Sequence, residues 1–300
     1  MICTGLLTGW LSQASGFFIH CILYAVQGKS DADDAEDEEE RTKEDAVAAN
    51  RSGGGDPVRT LELLWREHTG PQPAGRRGPR QGLTVDAVVE AATGLADEEG
   101  LDALTMRALA QRLGVTPMTV YTYVPGKAEL LDLMLDAAYG RMELRPFGPD
   151  EPWRVRVTRV AEDNRDLLVR HPWLAEVSVT RPPLGPGVIG KYEHELAAFE
   201  GVGLPDVERD AALTHLLQFV HSSTRAAADA AELNSRQSDN DWWAEVGPLL
   251  ARVIDADRYP LAGRVGEAAG AYNPDVVWAF GLQCVLEGLE RWAQGDAGGA

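Results

Sequence analysis

The chain has 300 residues, is 44% hydrophobic and carries a formal net charge of −19 at pH 7, enough length and apolar content for two domains of about 100 to 200 residues each. The charge excludes a generally basic nucleic-acid coat, so any DNA contact must come from a local surface. Cys3, Cys21 and Cys284 are too scattered for a zinc pattern and odd in number for a disulfide framework, which fits a reducing cytoplasm.

Residues 1–26 are apolar, with Gln13 and His20 as interruptions. No Lys or Arg precedes the apolar run and no small-residue cleavage pattern stands out, so a secretory signal is not expected. A membrane span needs about 20 apolar residues, and this segment is only marginal. Residues 30–45 hold ten acids against Arg41 and Lys43, a net of −8, and such a block stays solvated. A Gly/Ser linker follows at 51–56. Together 1–56 read as a disordered or mis-assigned extension, with a membrane-tethered regulator and an acidic tail competing with DNA as alternatives. Residues 57–82 open with a short helical piece, 59–66, and continue as Pro/Gly-rich chain bearing Arg76, Arg77 and Arg80. Such a basic arm can enter a minor groove or follow phosphates, the alternative being a solvated linker.

Three helical patterns follow in the segment 83–130. Thr84 suits an N-cap, Leu83 can staple onto Val88, and Val85, Val88, Ala92 and Leu95 share one face until Gly100. Thr105 opens the second pattern, with Leu104 ahead of it and Met106, Leu109, Ala110 and Leu113 as its apolar stripe, ending at Gly114. Thr116 caps the third, Pro117 is its first residue, and Val120 and Val124 point to one side. The other side carries Pro117, Met118, Thr119, Tyr121, Thr122 and Tyr123. Two helices joined by a glycine turn place the second in a major groove. Thr119 and Tyr121 suit phosphate oxygens, Pro117 and Met118 suit thymine methyls, and Thr122 and Tyr123 can reach bases or backbone. Lys127, in the first turn of a fourth helix, completes a phosphate clamp. From residue 71 to 127 six cations (Arg76, Arg77, Arg80, Arg107, Arg112, Lys127) face six anions, four of them between Asp97 and Asp102, so the cations can turn to DNA while the acids turn away.

The runs 104–115, 119–124 and 127–131 together resemble, without a gap, the DNA-binding domain of tetracycline-repressor-type (TetR) regulators. The resemblance implies that Arg107 contacts DNA, that the third helix is the recognition helix and that Lys127 meets a phosphate. The family's namesake has Gln-Pro where this chain has Pro117-Met118, and Trp-His where it has Thr122-Tyr123, so a different operator is expected.

Beyond Arg141 helices are expected at 151–170, 188–199, 205–233, 242–254 and 274–294, separated by Pro/Gly breaks. The run 278–291 resembles the last helix of the tetracycline-repressor C-terminal domain. Gly281 and Gly288, seven apart, would let two copies approach, so Trp278, Gly281, Leu282, Val285, Gly288 and Leu289 are the expected dimer interface. A dimer sets two recognition helices about 34 Å apart on a pseudo-palindrome. A helical bundle commonly holds a ligand between its helices. Candidate linings are Trp153, Asn164, Trp173, His194, His215, His221 and Trp242, each equally readable as core packing. The stretch 178–182 resembles its tetracycline-repressor counterpart, but Val177 falls where that protein has its magnesium-binding histidine, and Asp229 alone stands near a carboxylate position. No cofactor or metal is expected, and magnesium-tetracycline is not the expected inducer.

The fold expectation is all-α: a three-helix DNA-binding domain at 83–130, a larger ligand-binding and dimerisation bundle at 131–296, and a tail at 297–300. The function expectation is a cytoplasmic, one-component repressor whose homodimer binds operator DNA and is released by a small-molecule effector. The competing class is a helical enzyme with a vestigial helix-turn-helix. Against it, there is no Gly-rich phosphate loop, paired metal-ligand motif or nucleophile elbow, and His171, His194, His215 and His221 have no sequence-close cysteine or helix-face carboxylate pair, although His194 lies beside Glu193 and Glu195.

Overall fold

The computed structural model describes residues 53–67, 82–177, 182–255, 257–269 and 273–295. The apolar run, the acidic block, Arg76, Arg77 and Arg80 of the arm, residues 178–181 and the tail lie outside the described residues. Those described form eleven α-helices and no strand, as the all-α reading expects.

Helix α1 (Pro57–Leu64) starts because Asp56 accepts from the Val58 and Arg59 N–H groups and Pro57 has no N–H to leave unpaired. The next three helices begin at the predicted threonines. Thr84 accepts from Ala87 at the head of α2 (Val85–Glu99), Thr105 from Ala108 at the head of α3 (Met106–Arg112), and Thr116 from Thr119 at the head of α4 (Pro117–Tyr121). Gly100 and Gly114 end two of these runs at φ of 86° and 65°, a left-handed backbone that favours glycine. Helix α5 (Lys127–Gly140) is buried on nearly every side, its Glu129, Asp132 and Asp136 included.

The remaining helices are α6 (Trp153–Arg170), α7 (Pro186–Ala197), α8 (Asp206–Arg236), α9 (Asp239–Val253), α10 (Pro260–Ala269) and α11 (Pro274–Ala293), with a 3-10 turn at Pro172–Ala175. One core cluster unites Leu64, the apolar stripes of α2 to α5, and Leu167, Trp173 and Leu174. A second joins α6, the end of α7, α8 and α11 around Phe199, Leu213, Leu216 and Val220.

Two expectations need correcting. The boundary at 130/131 falls inside α5, a continuous helix whose Leu130, Leu131 and Met134 belong to one core, so no linker separates the two domains there. The short helical piece expected at 59–66 and counted with the arm at 57–82 instead belongs to the folded body, seated on α5 through Leu64 and capped by Asp56. Helix α10 was not foreseen, because its Gly-containing run lacks a long apolar stripe, and α9 has Pro248 inside it and buries no residue.

Candidate nucleic-acid interface

Helix α4 is anchored from one side only. Val120 and Val124 are fully buried, whereas Met118 is 72% exposed and Thr116, Pro117, Tyr121 and Thr122 also face solvent. Thr119 is half-buried, with its hydroxyl 2.9 Å from that of Thr116, and the Thr122 hydroxyl donates to the Thr119 carbonyl at 2.6 Å. The Thr119 and Thr122 hydroxyl oxygens each keep a lone pair. Tyr123, expected on the free face, is half-buried and packs on the first core cluster, so it steadies α4 more than it extends the surface.

Arg107, in the first turn of α3, is exposed and has no ion-pair partner among the described residues. Arg112 is committed elsewhere: its guanidinium grips Glu98 with bonds of 2.8 and 2.6 Å, which holds the Glu98 carboxyl below its usual range and raises Arg112. Lys127 is half-buried at the N-terminus of α5, and that burial lowers its ammonium pKa against the opposing pull of Asp102. The acids at 97–102 do not simply turn away. Asp97 accepts the Trp173 indole N–H at 2.8 Å and lies 2.8 Å from His171 Nδ1, tying α2 to the 3-10 turn of the second domain.

Residues 88–134 match the family described as bacterial regulatory proteins, tetR family, and residues 145–292 match the tetracyclin repressor-like C-terminal domain. The HTH-type transcriptional repressor DrrR1 of Streptomyces coeruleorubidus is 40% identical over 248 residues, covering 82% of this chain and 90% of that protein. The chain belongs to the TetR family. Among solved structures, apo ActR of Streptomyces coelicolor superimposes with a TM-score of 0.61 at 28% identity, covering 74% of this chain and all of that one. ActR in complex with actinorhodin gives 0.61 at 26% identity, covering 71% and 97%. As in other TetR-family transcriptional regulators, the helix-turn-helix sits at the N-terminal side of a helical bundle.

The effector residues proposed from sequence are dispersed through this TetR-type bundle. Trp173 is 1% exposed and spent on Asp97, and Trp153 packs on the second core beneath the Arg154 guanidinium. His194 stacks on Phe147 at 4.5 Å, and burial lowers its pKa. His221 is half-buried and lowered by burial and then by Arg225, while His215 is exposed and Trp242 meets Trp243 edge-on at the surface. Only Asn164 joins a buried polar cluster: its amide donates to the Val160 carbonyl at 2.9 Å and to Glu195 at 2.5 Å, and Glu195 also holds Lys191 at 2.7 Å. The Lys191 ammonium lies 5.0 Å from the Tyr139 ring centre, and burial, then the Glu195 charge, pushes the Tyr139 phenol up to about 12. Aromatic and histidine side chains pack wherever a helix face is apolar, so sequence type did not separate these cases. As for magnesium, Val177 is buried in the first core and Asp229 pairs with Arg225 at 3.9 Å; these residues do not offer that ion a donor set.

The expected dimer residues also need correction. Leu282 is buried, and Trp278, Val285 and Leu289 pack against the protomer's own second core. Trp278 is tilted against Phe219 at 5.3 Å, and a Cβ on Gly281 would collide with that same ring. Gly281 therefore admits Phe219 of α8 within the protomer. Only Gly288 is open. The outward face of α11 instead carries Val276, Val277, Phe280 and Cys284.

Sequence reasoning missed Glu129, Asp132 and Asp136, three buried acids on α5. Their spacing of three and four on an otherwise apolar helix was the available signal.

Proposed function

We propose that the chain is a one-component repressor whose homodimer reads a pseudo-palindromic operator through α3 and α4 and is released by a small molecule. The observation that carries this reading is a helix pinned inward at Val120 and Val124 with Pro117, Met118, Tyr121 and Thr122 outward, beside an exposed Arg107 that has no ion-pair partner among the described residues. Thr116, Thr119 and Lys127 serve phosphates, Met118 and Pro117 the base edges, and Arg76, Arg77 and Arg80 the adjoining groove.

Dimerisation is supported by α11 and α8. Phe280 is 72% exposed beside Val276 and Val277, while the 31-residue α8 buries only Leu213, Leu216, Val220 and Thr224. An apolar helix face of this kind is normally covered by a partner. Effector control is supported by the helical second domain and by the relative ActR, whose structures hold actinorhodin and (S)-DNPA. The Asn164–Glu195–Lys191 cluster, touching α5 through Tyr139, is a polar end against which such a ligand would orient. The protein acts in the cytoplasm by binding alone, without catalysis. No helix among the described residues is long and apolar enough to cross a membrane.

Selection of bound sequences from random DNA by the purified full chain tests the proposal. Enrichment of a two-fold repeat supports it, and enrichment of nothing overturns it. Titration calorimetry with magnesium-tetracycline should show no tight, magnesium-dependent heat.

A further inference from the structure

The segment 53–66 lies ahead of both family matches, 88–134 and 145–292, yet it touches three separate parts of the fold. At the DNA end of α5, the Asp56 N–H donates to Glu129 at 3.1 Å and the Gly53 N–H to Asp132 at 2.9 Å. A Cβ on Gly55 would strike the Glu129 carboxylate, so the strap backbone lies directly on that side chain. At its other end, the Trp65 indole donates to the Leu184 carbonyl at 2.7 Å, just before α7, and Arg66 pairs with Asp86 in the first turn of α2. Farther along α5, Asp136 accepts the Val188 N–H at 2.8 Å and so holds the N-terminus of α7. One side of α5 therefore grips the strap with two acids and the second domain with a third.

We propose that Trp65, Glu129 and Asp132 are positioning residues for DNA binding: through the strap 53–66 they fix the angle of the helix-turn-helix against the second domain. The inference rests on the operator-binding dimer proposed above. Two recognition helices fit two half-sites only at one separation. A lever that is free at its α1 end samples many separations, so binding is weaker and less selective for spacing.

The test uses full-length protein and two duplexes, the selected operator and the same operator with one base pair inserted between half-sites. Trp65→Phe keeps the ring and loses the N–H to Leu184, Glu129→Ala removes the acceptor, and Glu129→Gln restores one. The expected result is that Trp65→Phe and Glu129→Ala lower operator affinity roughly fivefold or more and shrink the ratio between the two duplexes, while Glu129→Gln keeps the wild-type ratio. Loss of fold stability alone would lower both affinities together and leave the ratio in place. An unchanged ratio in Trp65→Phe would overturn the proposal. A wild-type chain that selects no DNA sinks the repressor reading, and hydrogen exchange then decides the strap. Trp65→Phe should speed exchange at both 127–132 and 186–190, and faster exchange confined to 57–66 overturns the coupling.

Discussion

Thr84, Thr105 and Thr116 stand one residue ahead of three successive helices, and each hydroxyl accepts a backbone N–H that the helix itself cannot satisfy. Removing such a cap costs about 1 kcal/mol. Thr84→Ala should therefore unfold at lower denaturant with an unchanged m value, and an unaltered midpoint would show that the bond to Ala87 contributes nothing. Asp136 gives a pH-dependent counterpart. Burial raises its carboxyl above the ordinary value, against the lowering bonds from Val188 and Gly187. A raised folded pKa means the folded state holds its proton more tightly than the unfolded chain. The carboxyl thus favours folding once protonated, and this gain is lost as pH rises through the folded pKa. Denaturant melts of wild type and Asp136→Asn should show the difference shifting toward wild type as pH falls through the acid range; a pH-independent difference would contradict the raised value.

The α5–α7 crossing has its own test. A Cβ on Gly187 would collide with the Asp136 carbonyl oxygen and lie 2.8 Å from the Gly140 nitrogen, whereas one on Gly190 meets nothing within 4 Å. Gly187→Ala must push two backbones apart, at about 1 to 3 kcal/mol or more. Gly190→Ala should be neutral or stabilise by up to about 1 kcal/mol through helix propensity. Calorimetric melts of the pair check this, and equal effects would contradict the close approach. Much of this element layer was readable beforehand. Caps, glycine stops and apolar stripes are local signals, so α2, α3 and α4 fell where the threonines and Gly114 put them. What was not readable depends on long-range partners. The sequence holds Gly281 but not Phe219 beside it, and Trp173 but not the Asp97 carboxylate that takes its N–H. The outward side of α4 was legible because Val120 and Val124, four apart, fall on one helix face; Tyr123, an amphipathic ring at the edge of that pattern, was not assignable by period alone.

At the scale of the whole molecule, a net charge of −19 has to be reconciled with a polyanionic partner. The reconciliation is local: Arg107 has no ion-pair partner among the described residues, Glu98 is neutralised by Arg112, and Asp97 is consumed in a contact with the second domain. Each phosphate contact this surface makes releases condensed counterions, so its affinity should fall steeply as salt rises. The most direct measurement is fluorescence anisotropy of the selected duplex titrated with wild type and Arg107→Ala across a salt series. Wild-type affinity should fall steeply with salt, and Arg107→Ala should bind more weakly with a log–log slope smaller by about one. Binding that is indifferent to Arg107→Ala in both affinity and slope, or no binding at the lowest salt, would contradict a DNA-reading face built on α3 and α4.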